Sequence, residues 1–229
     1  MELSDLKVLA IVPARGGSKG IPRKNLVNFR GKPLISYTLD AIKKSKLITR
    51  TIVSSDSEEI IEFCKNLGFY SQYIRPEYLG LDDTPMREVI KDIVNWIGQE
   101  SEIIYNYVIV LQPTSPLRSS NDIDSFIKFM YELKLNSALS FHKMREHPMD
   151  CIVIDEQKNW KYLVQPPKNA FGRQLYPNNF YFINGSLYGY SFKFLEQDSG
   201  FNEDLPLDVF FEVPRSRGLE IDYLDDLMI

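Results

Sequence analysis

The run Val8 to Ala14 is apolar at every position. That pattern predicts a strand buried on both faces. It ends in the turn Arg15-Gly16-Gly17-Ser18-Lys19-Gly20. Pro33 then opens a predicted helix through Lys44, with Leu34, Ile35, Leu39 and Ile42 at helical spacing. Thr51 to Ser54 reads as a second strand, and Ser57 as the cap of a helix through Leu67 that closes at Gly68. Tyr70 to Ile74 is expected to be a short third strand. Arg75 to Thr84 is a loop, and Arg87 to Trp96 a helix. Tyr107 to Leu111 is a buried strand that stops at Gln112-Pro113-Thr114-Ser115-Pro116-Leu117-Arg118. Ser120 or Asn121 is expected to cap a helix through Leu133, and Ser137 to Phe141 is another strand. Strands alternating with helices of these lengths predict βαβ units and a mainly parallel sheet.

The pattern changes after His142. Residues 143–183 hold short strand-like pieces, Cys151 to Ile154 and Trp160 to Val164, then a Pro- and Asn-rich loop. This reads as a β-hairpin inserted outside the main sheet. Tyr181 to Tyr190 and Val209 to Val213 return to strand composition. Glu220 to Leu227 reads as a strand end running into a short acidic helix. There are no internal repeats.

Composition narrows the class. At 229 residues, 44% hydrophobic and 25% charged, the chain suits one large globular domain. A net charge of -4 argues against a dedicated nucleic-acid binder. Cys64 and Cys151 form no CxxC pair, which suits a reducing compartment. No apolar stretch approaches the roughly 20 residues needed to span a bilayer, and no signal peptide is evident. A cytoplasmic protein without membrane partners is expected.

Ligands of open α/β sheets bind at the carboxyl ends of the strands. This chain puts its polar, glycine- and proline-punctuated segments at those ends: residues 15–25, 54–56, 75–84 and 112–118. Gly16, Gly17 and Gly20 let the first loop turn N–H groups toward an anion, and Arg15, Lys19, Arg23 and Lys24 surround it with cations. That combination suits a triphosphate and its departing pyrophosphate. Neither GxxxxGK[ST] nor GxGxxG occurs. Glu220-Ile221-Asp222 sets two carboxylates on one side of an extended strand, and Mg²⁺ prefers one or two carboxylates plus phosphate oxygens. His147, the aromatic run Phe180-Tyr181-Phe182 and Cys64 read more simply as packing residues.

Taken in order, these segments resemble the acylneuraminate cytidylyltransferase (CMP-sialic acid synthetase) family. The carriers are Ala14 to Asn25, Val53-Ser54-Ser55-Asp56, Arg75-Pro76-Glu77 with Asp83-Thr84, and Leu111 to Arg118. His147-Pro148, Arg173-Gln174, Asn184-Gly185 and Glu220-Ile221-Asp222 follow. The similarity runs from about Lys7 to Leu227. It implies a three-layer α/β/α nucleotidyltransferase-like fold, with 143–183 as a dimerisation and sugar-site insertion. It implies a homodimer, Mg²⁺ as cofactor, and two substrates: CTP and an acidic nine-carbon α-keto acid sugar. The sugar's anomeric hydroxyl would attack the α-phosphate, giving a CMP-sugar and pyrophosphate.

The resemblance also implies roles. Arg15, Lys24 and Asp222 would be catalytic. CTP would meet Arg15, Gly16, Gly17, Ser18, Lys19, Lys24, Asn25, Ser54, Asp56, Arg75, Asp83 and Thr84. The sugar would meet Gln112, Thr114, Ser115, Arg173 (from the partner subunit), Asn184 and Gly185. Asp222 and Glu220 would hold metal. The chain departs from the family at Glu220, where aspartate is common, and at Met149-Asp150, where many members carry a lysine. It departs again at Phe182, where an arginine is typical. Two fewer cations near the sugar point away from N-acetylneuraminate and toward a legionaminic-type diamino sugar. A deoxy-octulosonate-type cytidylyltransferase and a non-catalytic nucleotide-binding protein are the alternatives.

Overall fold

In a computed structural model, the described residues are 2–100, 102–168, 176, 179–196 and 209–228. The strands are β1 (Val8–Pro13), β2 (Asn28–Phe29), β3 (Lys32–Pro33), β4 (Arg50–Ser54), β5 (Tyr107–Val110), β6 (Ser137–Lys143), β7 (Ile152–Ile154), β8 (Trp160–Tyr162), β9 (Tyr181–Ser191) and β10 (Phe211–Glu212). The α-helices are α1 (Leu34–Lys44), α2 (Glu58–Asn66), α3 (Met86–Glu100), α4 (Ser120–Glu132) and α5 (Phe192–Glu196). Six strands form the main sheet in the order β10-β6-β9-β5-β1-β4. β1 runs parallel to β4 and β5, and β10 parallel to β6, while β9 lies antiparallel between β5 and β6.

The unbroken apolar run of β1 follows from its place at the centre of three layers. Val8, Ala10 and Val12 join one core with Ile35 and Leu39 of α1, Ile60 of α2, and Phe126 and Met130 of α4. Leu9 and Ile11 point the other way, into a second core with Val89, Ile90 and Ile93 of α3 and Phe192 of α5. Period-2 alternation therefore feeds both faces with apolar side chains. A third small cluster joins Ile21, Phe29, Leu34 and Ile221. It ties the first loop to the acidic C-terminal strip.

Several local expectations change. Tyr70 to Ile74 forms no strand. Only Tyr73 of that stretch is buried, and its N–H bonds the Ser71 hydroxyl while its own hydroxyl donates to Asp92. Ser119, not Ser120 or Asn121, caps α4 in a reciprocal box with Asp122. Ser57 precedes α2 but makes no side-chain capping bond. Residues 220–222 join no sheet; a 3₁₀ turn, Leu224–Met228, follows. The last strand shortens to β10. β7 and β8 pair only with each other. No helix among the described residues is long and apolar enough to cross a membrane.

Candidate active site

The glycine loop leaves the end of β1, and its backbone is tied to neighbours. Ala14 N–H donates to the Ser54 carbonyl at 2.8 Å, Gly16 N–H to Asp56 Oδ1 at 2.7 Å, and Asn25 Nδ2 to the Arg15 carbonyl at 2.9 Å. Behind the loop sits Arg75, 4% exposed, whose Nε donates to the Ser54 hydroxyl at 2.9 Å. A second Arg75 bond goes to the Ser54 carbonyl at 3.0 Å. Burial depresses the pKa of Arg75, with Tyr73 and Asp56 opposing. Gly20 is a close approach: a Cβ there would meet the Asp222 carbonyl oxygen at 2.5 Å.

These ties shape a cleft of about 180 Å³ lined by Arg15, Gly17, Ser18, Lys24, Asn25, Arg75, Gln112 and Thr114, with Pro13, Met86 and Pro113 completing the wall. Eight expected site residues thus converge. Two of the cleft's cations, and Lys19 beside it, are held by carboxylates, while Arg75 is held by Ser54. Arg15 pairs with Asp82 at 2.6 Å, Lys19 with Asp82 at 3.0 Å, and Lys24 with Asp222 at 2.8 Å. The Lys19 and Arg15 hydrogen bonds, in that order, hold the Asp82 carboxyl below its usual range.

The other expected residues lie around this cleft. Lys19 reaches outward to Asp82, and Asp83 is exposed beyond it. The Thr84 hydroxyl donates to the Tyr78 carbonyl at 3.2 Å. Asp56 spends one oxygen on Gly16 and crowds Gly80 with the other. Ser54 and Ser115 are buried. Asn184 is fully buried, and its Oδ1 accepts from the Ser140 hydroxyl at 2.6 Å. Gly185 sits at φ +58°, where β9 and β6 shift register, and packs against the Glu220 carboxylate. A side chain there would be strained and would also displace that carboxylate. Arg173 lies outside the described residues.

The acidic strip is positioned by its own backbone. Ile221 N–H donates to the Thr114 carbonyl at 2.8 Å, and Asp222 N–H to Asp226 at 2.8 Å. Burial pushes the Glu220 carboxyl up to about 7, Asp222 adds to the rise, and Lys24 opposes it. Two crowded carboxylates of this kind fit a hard dication. Among the described residues no three His, Cys, Asp or Glu side chains converge on one point, so phosphate oxygens would complete such a sphere.

Sequence reasoning assigned no role to two residues that matter here. Asp82, rather than its neighbour Asp83, meets Arg15 and Lys19. Arg118, 3% exposed, donates to the Ser186 carbonyl at 2.6 Å, to Thr38 Oγ1 at 2.8 Å and to the Gln112 carbonyl at 3.3 Å. It stitches the 112–118 loop to β9 and α1. An arginine inside the apolar run Pro116-Leu117-Arg118 was the available signal.

A cation-rimmed glycine loop over the parallel strand ends of an α/β sheet, beside a carboxylate pair, defines a nucleotidyltransferase. A sequence profile of the cytidylyltransferase family matches residues 9–166. The chain is 30% identical to pseudaminic acid cytidylyltransferase of Campylobacter jejuni subsp. jejuni serotype O:2, covering 97% of this chain and 94% of that protein. It is 31% identical to CMP-N,N'-diacetyllegionaminic acid synthase of Legionella pneumophila subsp. pneumophila, over 80% of this chain and 77% of that one. The fold matches the structure of CMP:2-keto-3-deoxy-manno-octonic acid synthetase complexed with CTP, with a TM-score of 0.68, 17% identity and coverage of 97% and 95%. The chain belongs to the cytidylyltransferase family, and it is an enzyme of the acylneuraminate cytidylyltransferase type.

Proposed function

We propose that this enzyme activates a nonulosonic acid with CTP, releasing pyrophosphate and a CMP-sugar. The observation that carries the reading is the near full-length likeness to an enzyme named for pseudaminic acid, joined to a cleft whose cations suit a triphosphate. Arg15 and Lys24 each hold a partly exposed carboxylate that phosphate oxygens would replace. The sugar's anomeric oxygen forms the new bond to the α-phosphorus as the bond to the β-phosphate breaks. Arg15 and Lys24 neutralise charge on the leaving pyrophosphate. Glu220 and Asp222 are the residues to hold Mg²⁺, which when bound neutralises phosphate charge. CTP supply fits a cytoplasmic setting.

The sugar is proposed to be a diamino acid of the pseudaminic or legionaminic type, since relatives named for both match this chain over most of their own length, and Met149-Asp150 and Phe182 stand where the family resemblance expects sugar-facing cations. Pyrophosphate release from CTP and Mg²⁺ tests this, with N-acetylneuraminate, a diacetyllegionaminate and a pseudaminate run side by side. A diamino sugar is expected to win in kcat/KM by about tenfold or more. Equal or better turnover of N-acetylneuraminate would overturn the diamino assignment, and silence with all three would overturn the activity.

A homodimer is proposed as well. The β7–β8 hairpin exposes Ile152, Val153, Ile154, Trp160, Tyr162 and Leu163. A two-stranded hairpin is marginal by itself, and clustered apolar exposure marks an interaction surface. Arg173 would then enter the sugar site from the partner subunit.

A further inference from the structure

Arg118 is buried, and among the described residues its guanidinium bonds no carboxylate. Asp122, the acid whose field reaches it, is already taken by Arg217 and Ser119. Burial lowers the Arg118 pKa, with Asp122 opposing. A cation in such a place costs stability rather than adding it. The groups it does bond are the ones on which the acidic strip rests.

Two supports of that strip meet at this guanidinium. The first is the turn after β5. Arg118 donates to the Gln112 carbonyl at 3.3 Å, and two residues further on the Thr114 carbonyl accepts the Ile221 N–H at 2.8 Å. The second support is β9. Arg118 donates to the Ser186 carbonyl at 2.6 Å, and the preceding residue, Gly185, packs against the Glu220 carboxylate. The ladder between β5 and β9 ends with Val110 opposite Tyr188. Gln112 and Ser186 lie two residues past that last pair, one on each side, so Arg118 joins the two chains where the backbone ladder stops. Its bond to Thr38 Oγ1 at 2.8 Å anchors the junction to α1, and the same hydroxyl donates to the Gln112 carbonyl at 3.4 Å. A planar fork holds several acceptors at set angles, which an ammonium does not.

We infer that Arg118 is a positioning residue: it fixes the 112–114 turn against Gly185 and Ser186 and through them places Glu220 and Asp222 beside the phosphate cleft; this rests on the proposed CMP-sugar activity with the strip as holder of Mg²⁺. Arg118 itself is not among the residues lining the nucleotide cleft. The glycine loop is held separately, through Ser54, Asp56 and Asn25. Disturbing Arg118 should therefore reach the acidic strip and spare the binding of CTP.

The test compares wild type, Arg118→Lys and Thr38→Val below their melting temperatures. Pyrophosphate release gives kcat and the CTP KM, electron paramagnetic resonance gives the Mn²⁺ affinity of the CTP-bound enzyme, and a thermal melt gives stability. Arg118→Lys keeps a charge but cannot bridge both carbonyls. It is expected to lower kcat and weaken Mn²⁺ binding about 10- to 100-fold each, the usual cost of losing a group that orients metal ligands, with the CTP KM within about threefold of wild type. Thr38→Val keeps the shape and removes one acceptor, so it should move the same two quantities the same way, by about three- to tenfold. If Arg118→Lys does not fold, Thr38→Val decides. A purely structural role would lower the melting temperature and leave kcat and Mn²⁺ affinity at wild-type values, and that result would overturn the inference. So would a CTP KM that rises as far as kcat falls. A wild type silent toward every acidic sugar would overturn the proposed activity, while the Mn²⁺ affinities would still decide the place of Arg118.

Discussion

The nucleotide cleft and the β7–β8 hairpin are opposite kinds of structure. The cleft is loop, yet its backbone and several buried side chains are tied by hydrogen bonds, while Ser115 Oγ, Arg118 Nε and Asn184 Nδ2 are buried without a partner among the described residues. Ser54, Arg75 and Arg118 are buried and bonded, and the glycine loop is pinned at Ala14, Gly16 and Asn25. The hairpin is regular strand, yet its β7 and β8 residues are all exposed and its ladder pairs only with itself. Regularity is thus a poor guide to which region is complete. The cleft is backed by the three-layer core beneath it, whereas the hairpin has no core of its own, and the proposed dimer would supply one.

Removing cleft cations should break that contrast most sharply. Arg15→Ala and Lys24→Ala are each expected to lower kcat/KM about 10²- to 10³-fold. The melting temperature of Arg15→Ala should move little, because the Arg15–Asp82 pair is partly exposed, and that of Lys24→Ala more, because the Lys24 side chain is mostly buried. Parallel kinetics and thermal melts check this, and a large fall in melting temperature would instead make Arg15 structural.

A double change in the hairpin, Ile154→Asp with Trp160→Ser, should act the other way. It is expected to weaken self-association by about 2 kcal/mol or more while leaving CTP binding intact. Scattering mass against concentration reads the first effect and calorimetry with CTP the second. Unchanged self-association would take the hairpin out of the interface.

Gly20→Ala tests how tightly the loop meets the acidic strip. Its Cβ would press on the Asp222 backbone oxygen, so a stability loss of about 1–3 kcal/mol is expected, together with weaker Mg²⁺ dependence. Denaturant unfolding and a Mg²⁺ titration measure the two effects.

The smallest effect concerns pH. Asp122 has a depressed pKa despite burial, because Arg217 and Ser119 donate hydrogen bonds to its carboxylate. Its contribution is therefore present above the unfolded value of about 3.9 and is lost as pH falls through the lower folded value. Asp122→Asn should cost about 1 kcal/mol near neutrality and flatten the acid limb of a stability-versus-pH curve.

The central strands and the first loop were legible because their signals are local. An all-apolar run bounded by glycine and proline reads the same way wherever it sits, and Val8–Pro13 and Tyr107–Val110 are adjacent interior strands of the sheet, buried throughout. Tyr70 to Ile74 misled because strand composition does not supply a neighbouring ladder. The cap of α4 moved by one residue because Ser119, Ser120 and Asn121 all have capping chemistry, and only Ser119 stands three residues before Asp122.

By itself, then, the sequence determined an α/β sheet with phosphate-suited loops at its strand ends, and the order of the family's segments. The tertiary structure decided which charges meet. Lys24 finds Asp222 across 198 positions, and Arg118 finds Ser186 across 68. It also chose Asp82 over Asp83 and left Arg215 without an ion-pair partner among the described residues. The reason is physical. Burial periodicity repeats every two to four residues and is written along the chain, whereas an ion pair depends on where two distant backbones pack, which no local pattern records.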